Sequence, residues 1–148
     1  MKKILKEITY PHPPQRVWRA LTDPKILAAW LMESDIQPTV GHQFQFRTKP
    51  APGFDGIVHA KVLEADPPKR LVYSWAGGPT MRHKTLVEWT LIPVAGGTLL
   101  RLEHSGFEGI GGFFLRAMMG GGWGKKLTRP QFFLAELEKI AAAEGKSV

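Results

Sequence analysis

The stretch that decides the fold runs from Thr85 to Phe107 and reads TLVEWTLIPVAGGTLLRLEHSGF. Val87, Trp89 and Leu91 alternate with Glu88 and Thr90; after Ala95-Gly96-Gly97 the alternation resumes, with Leu100, Leu102 and His104 set against Arg101 and Glu103. A period of two sends successive side chains to opposite faces, so each half reads as a half-buried antiparallel strand and the glycine pair as the turn between them. Working outward, Phe44 and Phe46 alternate with Gln43, Gln45 and Arg47, and Leu71, Tyr73 and Trp75 with Arg70, Val72 and Ser74. A further strand fits between Gly56 and Glu64, and Asp66-Pro67-Pro68 and Gly77-Gly78-Pro79 are the remaining turn signals.

The two flanks differ. Ile4, Leu5, Ile8 and Tyr10 stand among charges before Pro11, Pro13 and Pro14, the form of a short first strand. Val17, Trp18 and Leu21 then fall at helical spacing, and Asp23-Pro24 ends one helix and opens another through Leu27, Trp30 and Leu31. Beyond Gly124, Leu127, Leu134, Leu137 and Ala141 share one face with Glu136, Glu138 and Lys139 opposite, which predicts a long amphipathic C-terminal helix. Pro130 falls on the apolar face of that helix and removes the bond to the Lys126 carbonyl, so a kink, or a regular start near Arg129, is expected there. The order is α+β: a first strand, two short helices, about six antiparallel strands, and a helix to cover the sheet.

Composition excludes several classes. A chain of 148 residues suits a single domain, 1–148, and the absence of cysteine removes disulfides, thiolate nucleophiles and cysteine-ligated metals. MKKILKEITY has no apolar core of signal-peptide length, so a cytoplasmic protein is expected. The formal charge of +7 comes from scattered cations with no basic run, which argues for a generic basic surface and no nucleic-acid partner. The five histidines form no HExxH or HxH, so neither a metal nor a cofactor is expected. The segment GIGGFFLRAMMGGGWGKKL, residues 109–127, fails as a phosphate loop because Met119 and Lys126 stand where Gly and Ser/Thr belong. It fails as a membrane span because its apolar pieces are short and include Arg116. What remains is an aromatic and methionine segment between glycine hinges, read either as an adaptable lid with Trp123 as its pivot or as a loop that completes the core.

His104 shares a strand face with Leu100 and Leu102 and should point inward, where it meets either a buried partner or a ligand. Glu103 and Ser105 belong to the opposite face, so no triad forms with their neighbour. Tyr73, Trp75 and Trp89 gather on one sheet surface; in a small domain such rings more often form core than contact a ligand, but their number raises the chance of a cavity.

The segments PHPPQRVWRALTDPKILAAWL, DPPKRLVYSW, TLVEWTLIPVAGGTLLRLEHSGF and GGGWGKKL, in that order, resemble the family of homologues of the activator of the 90-kDa heat-shock protein ATPase. That family lies within the START-like, Bet v 1-like SRPBCC superfamily. The resemblance implies a helix-grip fold: a curved antiparallel sheet around a long C-terminal helix, two short helices near the N-terminus, and a mostly apolar cavity between. Carried onto this chain, the implied lining is Trp30, Phe44, Phe46, Tyr73, Trp75, Trp89, Leu102, His104, Phe107, Phe114, Met118, Trp123 and Leu127, and the Pro130 kink is expected to widen the cavity mouth. Polar ends of a ligand would meet His104, Tyr73, His59 or, less readily given its outward parity, Arg101. The function expected first is binding of a small hydrophobic or aromatic molecule by a monomer or homodimer, in a stress-response setting. The alternatives are a cyclase-, aromatase- or hydrolase-like enzyme with His104 as general acid or base, and a partner of a heat-shock ATPase.

Overall fold

The computed structural model describes residues 3–50, 55–77, 84–107 and 121–146. In chain order it contains β1 (Ile4–Tyr10), α1 (Pro14–Thr22), α2 (Pro24–Trp30), β2 (Glu33–Ser34), β3 (Gln43–Arg47), β4 (Ile57–Asp66), β5 (Arg70–Gly77), β6 (Thr85–Val94) and β7 (Gly97–Ser105). A helix over residues 121–128, here α3, follows, then a π-helical turn (Pro130–Leu134) and α4 (Ala135–Lys146). The strands form one curved, antiparallel, seven-stranded sheet in the order β1-β7-β6-β5-β4-β3-β2. This is the helix-grip architecture expected of the sequence, with the two-residue β2 as an addition.

Local chemistry explains where the elements start and stop. Pro14 opens α1 at a position whose N–H would have no partner anyway. Asp23 closes α1 and caps α2, its Oδ1 accepting from the Lys25 N–H at 2.9 Å. At the β6–β7 turn Gly96 has φ +77, and a Cβ on Gly97 would lie 2.0 Å from the Tyr10 carbonyl oxygen, so neither place admits a side chain without strain.

The inward rows of the sheet, including Phe44, Phe46, Val62, Leu71, Val87, Leu100 and Leu102, are buried in one core with Val17 and Leu21 of α1 and Leu27 of α2. Trp123, Leu127, Phe133, Leu137 and Ile140 close the core from the C-terminal side.

The C-terminal helix is broken at Pro130, as the proline leads one to expect. Arg129, which precedes a proline, takes extended angles (φ −76, ψ 134), and Phe132 lies outside the helical region (φ −108, ψ −109). Proline offers no N–H to the Lys126 carbonyl, and the break also takes away the helical donor for the Leu127 carbonyl. The Tyr10 hydroxyl donates to that Leu127 oxygen instead. Pro130 itself is exposed, not on the apolar face. The break delivers Phe133 into the core, 5.0 Å from the Tyr10 ring and 4.8 Å edge-on to Trp30. The expected glycine hinge is a correction: Gly121, Gly122 and Gly124 lie within the helical residues of α3. Among the described residues no helix is long and apolar enough to cross a membrane.

Candidate functional site

The interior between sheet and α3 is built from aromatic rings that alternation along β3, β5, β6 and β7 sends inward. Phe44 meets Phe46 and Tyr73 edge-on at 5.4 and 5.3 Å, and Phe46 lies 5.1 Å from Trp75. Trp75 continues the run to His104 at 5.6 Å and Trp123 at 5.7 Å, and Trp89 meets Trp123 edge-on at 5.4 Å. Phe107 closes it, 4.8 Å from the imidazole. Edge-to-face contact sets the positive rim of one ring on the negative face of the next, so the cluster is held by geometry as well as by burial.

His104 is fully buried within this run. The Trp123 indole N–H donates to its Nδ1 at 3.1 Å. An indole can only donate, so Nδ1 is the acceptor and the ring proton of the neutral imidazole sits on Nε2. Nε2 then donates to Thr85 Oγ1 at 2.7 Å, and the Thr85 hydroxyl donates to the Trp75 carbonyl at 2.9 Å. The chain of donors runs one way from Trp123 through His104 and Thr85 to the backbone of β5, and both imidazole nitrogens are used. Burial lowers the His104 pKa to about 3, so the ring is uncharged at neutral pH.

Tyr73 supplies the other buried polar group. Its oxygen accepts from the Trp89 indole N–H at 3.0 Å, and burial pushes its ionisation well above the ordinary phenol range. No acceptor for its own proton lies among the described residues.

The predicted lining residues separate into groups. Phe44, Phe46, Tyr73, Trp75, Trp89, His104, Phe107 and Trp123 come together as described, and Leu102 and Leu127 are buried beside them in the same core. Trp30 is buried but contacts Phe133, with its indole N–H on the Ala20 carbonyl at 2.9 Å. His59 is a correction: it is exposed on the outer face of β4, because Val58, Ala60 and Val62 take the inward positions. Arg101 also faces outward, held by Glu7 Oε2 at 2.9 Å. Phe114 and Met118, with the rest of the predicted lid between residues 108 and 120, lie outside the described residues. Sequence reasoning missed Thr85, although its parity with Val87 and Trp89 places it inward, and missed Tyr10 and Phe133, which become partners only through the break at Pro130. Among the described residues no three histidine, aspartate or glutamate side chains converge as a metal site would require.

The model of the family described as Activator of Hsp90 ATPase homolog 1-like protein matches residues 11–129. The solved structure of protein MLL2253 from Mesorhizobium loti is 32% identical, with 96% of this chain covering 98% of that one at a TM-score of 0.77. CalU16 from Micromonospora echinospora is 26% identical, with coverage of 98% and 84% and a TM-score of 0.71. DynU16, a putative protein in the dynemicin biosynthetic locus, shares the fold at 24% identity and TM-score 0.70, with 96% of this chain spanning 48% of that one. No curated protein matches the chain in sequence.

Proposed function

The chain belongs to the family of activator of Hsp90 ATPase homolog 1-like proteins, and on that premise we propose that it binds a small, uncharged, hydrophobic or aromatic molecule between the sheet and α3. The observation that carries this reading is the run of rings from Phe44 to Phe107, in an interior where burial keeps His104 and Tyr73 uncharged. A charged ligand would lose its hydration there with nothing to replace it, whereas an aromatic one gains about 25 cal/mol for each Å² of apolar surface it buries. The Tyr73 hydroxyl, already an acceptor from Trp89, has a proton to give, which favours a ligand with a carbonyl or ether oxygen.

Native mass spectrometry of protein purified from its own source, together with tryptophan-fluorescence titration against a panel of neutral aromatic ketones, tests the proposal. A co-purifying neutral molecule, or saturable quenching that Tyr73→Phe weakens about tenfold, is the expected result. The reading fails if no compound is retained and no member of the panel quenches saturably.

An acid–base role for His104 is weighed down by the engagement of both ring nitrogens and by a pKa far below neutrality. A partner role follows from the family description, and an unchanged ATPase rate when the chain is mixed with a 90-kDa heat-shock protein would dispose of it.

A further inference from the structure

On the face of the sheet turned away from the helices, strand register lines up side chains of a different kind. Gln45 on β3 pairs with His59 on β4, and His59 with Ala76 on β5. Because Trp75 pairs with Thr85, the row ends at Lys84, just before β6. In the neighbouring row Gln43 stands opposite Lys61, whose backbone N–H donates to Ser74 Oγ at 3.1 Å. Ser74 and Ala76 are the short outward residues of β5, and longer side chains rise from the strands on either side, so the surface sinks along that strand. The depression is a groove of about 510 Å³ whose lining includes Arg47, His59, Lys61, Ser74, Ala76 and Lys84. Two strand spacings, together about 10 Å, separate the His59 side from the Lys84 side across Ala76.

Hydrogen-bond bookkeeping gives this groove a mainly donating character. Arginine only donates, and Arg47 Nε and Nη2 both reach Gln45 Oε1, at 3.0 and 2.8 Å. That fixes the amide so that its NH₂ faces His59 Nδ1, 3.5 Å away. With Nδ1 accepting, the neutral His59 ring carries its proton on Nε2. Ser74 Oγ, accepting from Lys61, keeps its own hydrogen to donate. Arg47, Lys61 and Lys84 have no ion-pair partner among the described residues. The carboxylate at the rim, Asp35, has Oδ1 tied to the Gln45 N–H at 2.8 Å. Three cations and several donors, against the one carboxylate of Asp35, therefore surround a floor of small side chains, in contrast to the uncharged interior on the other side of the same strands.

We propose that this outer groove binds the tetrahedral oxyanion of a small phosphate or sulfate ester. Such a group is an acceptor at every oxygen, which matches a surface that offers donors, and its charge meets Arg47, Lys61 and Lys84, which have no ion-pair partner among the described residues. Among the described residues no phenylalanine, tyrosine or tryptophan ring faces outward in the groove, since Phe44 and Phe46 of β3 face the core, which favours a compact ester over a nucleic-acid strand.

Titrating phenyl phosphate and phenyl sulfate into the full chain, followed by amide chemical shifts, tests the site. Saturable one-to-one binding centred on His59, Lys61 and Ala76 is expected, and whichever ester binds more tightly identifies the class. Arg47→Gln and Lys84→Gln should each weaken it about tenfold. Ala76→Leu, which fills the floor and leaves every charge in place, should abolish it. Lys25→Gln on the exposed surface of α2, and Tyr73→Phe in the interior, should leave it unchanged. Non-saturating shifts, an Ala76→Leu protein that binds like the parent, or equal weakening by Lys25→Gln would each overturn the proposal, and would show diffuse attraction to a basic surface instead.

Discussion

Lowering the pH from 7.5 to 4.5 should cost the fold about 2.7 kcal/mol through His104 alone. In the unfolded chain this imidazole takes up a proton near pH 6.5, whereas in the folded chain burial holds its pKa at about 3. Between those values the unfolded state binds the extra proton and the native state does not, so stability is complete above pH 6.5 and falls as the pH drops toward 3. Each pH unit well inside that window is worth about 1.36 kcal/mol, and pH 4.5 lies two units into it. Protonation of the native ring would have to occur at Nδ1, the atom that accepts from the Trp123 indole, so the charge would also turn a hydrogen bond into a clash of two donors. Urea unfolding of the parent and of His104→Gln across this range isolates the effect, because carboxylates and the other histidines contribute equally to both. The difference between the two proteins should grow in favour of the variant by about 2.7 kcal/mol over the range. Nitrogen-15 spectra of the folded parent provide a second reading that needs no variant: Nδ1 should stay unprotonated and Nε2 protonated at pH 5. Parallel stability curves, or an imidazolium signal in the folded protein at pH 5, would refute the reasoning.

Thr85→Val removes the acceptor of the His104 ring proton and the donor to the Trp75 carbonyl at once, and should cost about 2–4 kcal/mol in urea unfolding, most of which Thr85→Ser recovers. Gly121→Ala and Gly122→Ala should each stabilise by about 0.4–1 kcal/mol, read as a rise in Tm, because a Cβ at either place meets nothing within 4 Å and the backbone there is already helical. Tyr10→Phe should lower stability by roughly 1–2 kcal/mol, since it strands the Leu127 carbonyl that the break at Pro130 has left without a helical partner.

Much of this arrangement was legible in the sequence, for a physical reason. Strands with one face in the core must alternate, and Val87, Trp89, Leu91 and Leu100, Leu102, His104 do so without interruption, so sheet, hairpin and the inward direction of His104 could all be read. The same rule, applied to Val58, Ala60 and Val62, puts His59 outside, so its position too is written in the alternation of that strand. β2 is two residues long and has no room for a pattern. The C-terminal break was half legible: Pro130 announced it, but Leu127 and Leu137 keep a helical phase across a gap, because each packs on the same core from its own segment. Thr85 carried a parity signal and no polarity signal, since a threonine in a strand is common and its pairing with His104 depends on the register of two strands.

The break at Arg129–Pro130 also has a bearing on how the chain tolerates change. In one continuous helix, inserting a residue turns everything beyond it by about 100°. Here the extended Arg129 interrupts that transmission, so the rotational setting of α3, fixed by Trp123 and Leu127 against the sheet, is independent of that of α4, fixed by Phe133, Leu137 and Ile140. A residue inserted at the break would therefore leave Trp123 on His104 and Phe133 in the core, each held by its own segment.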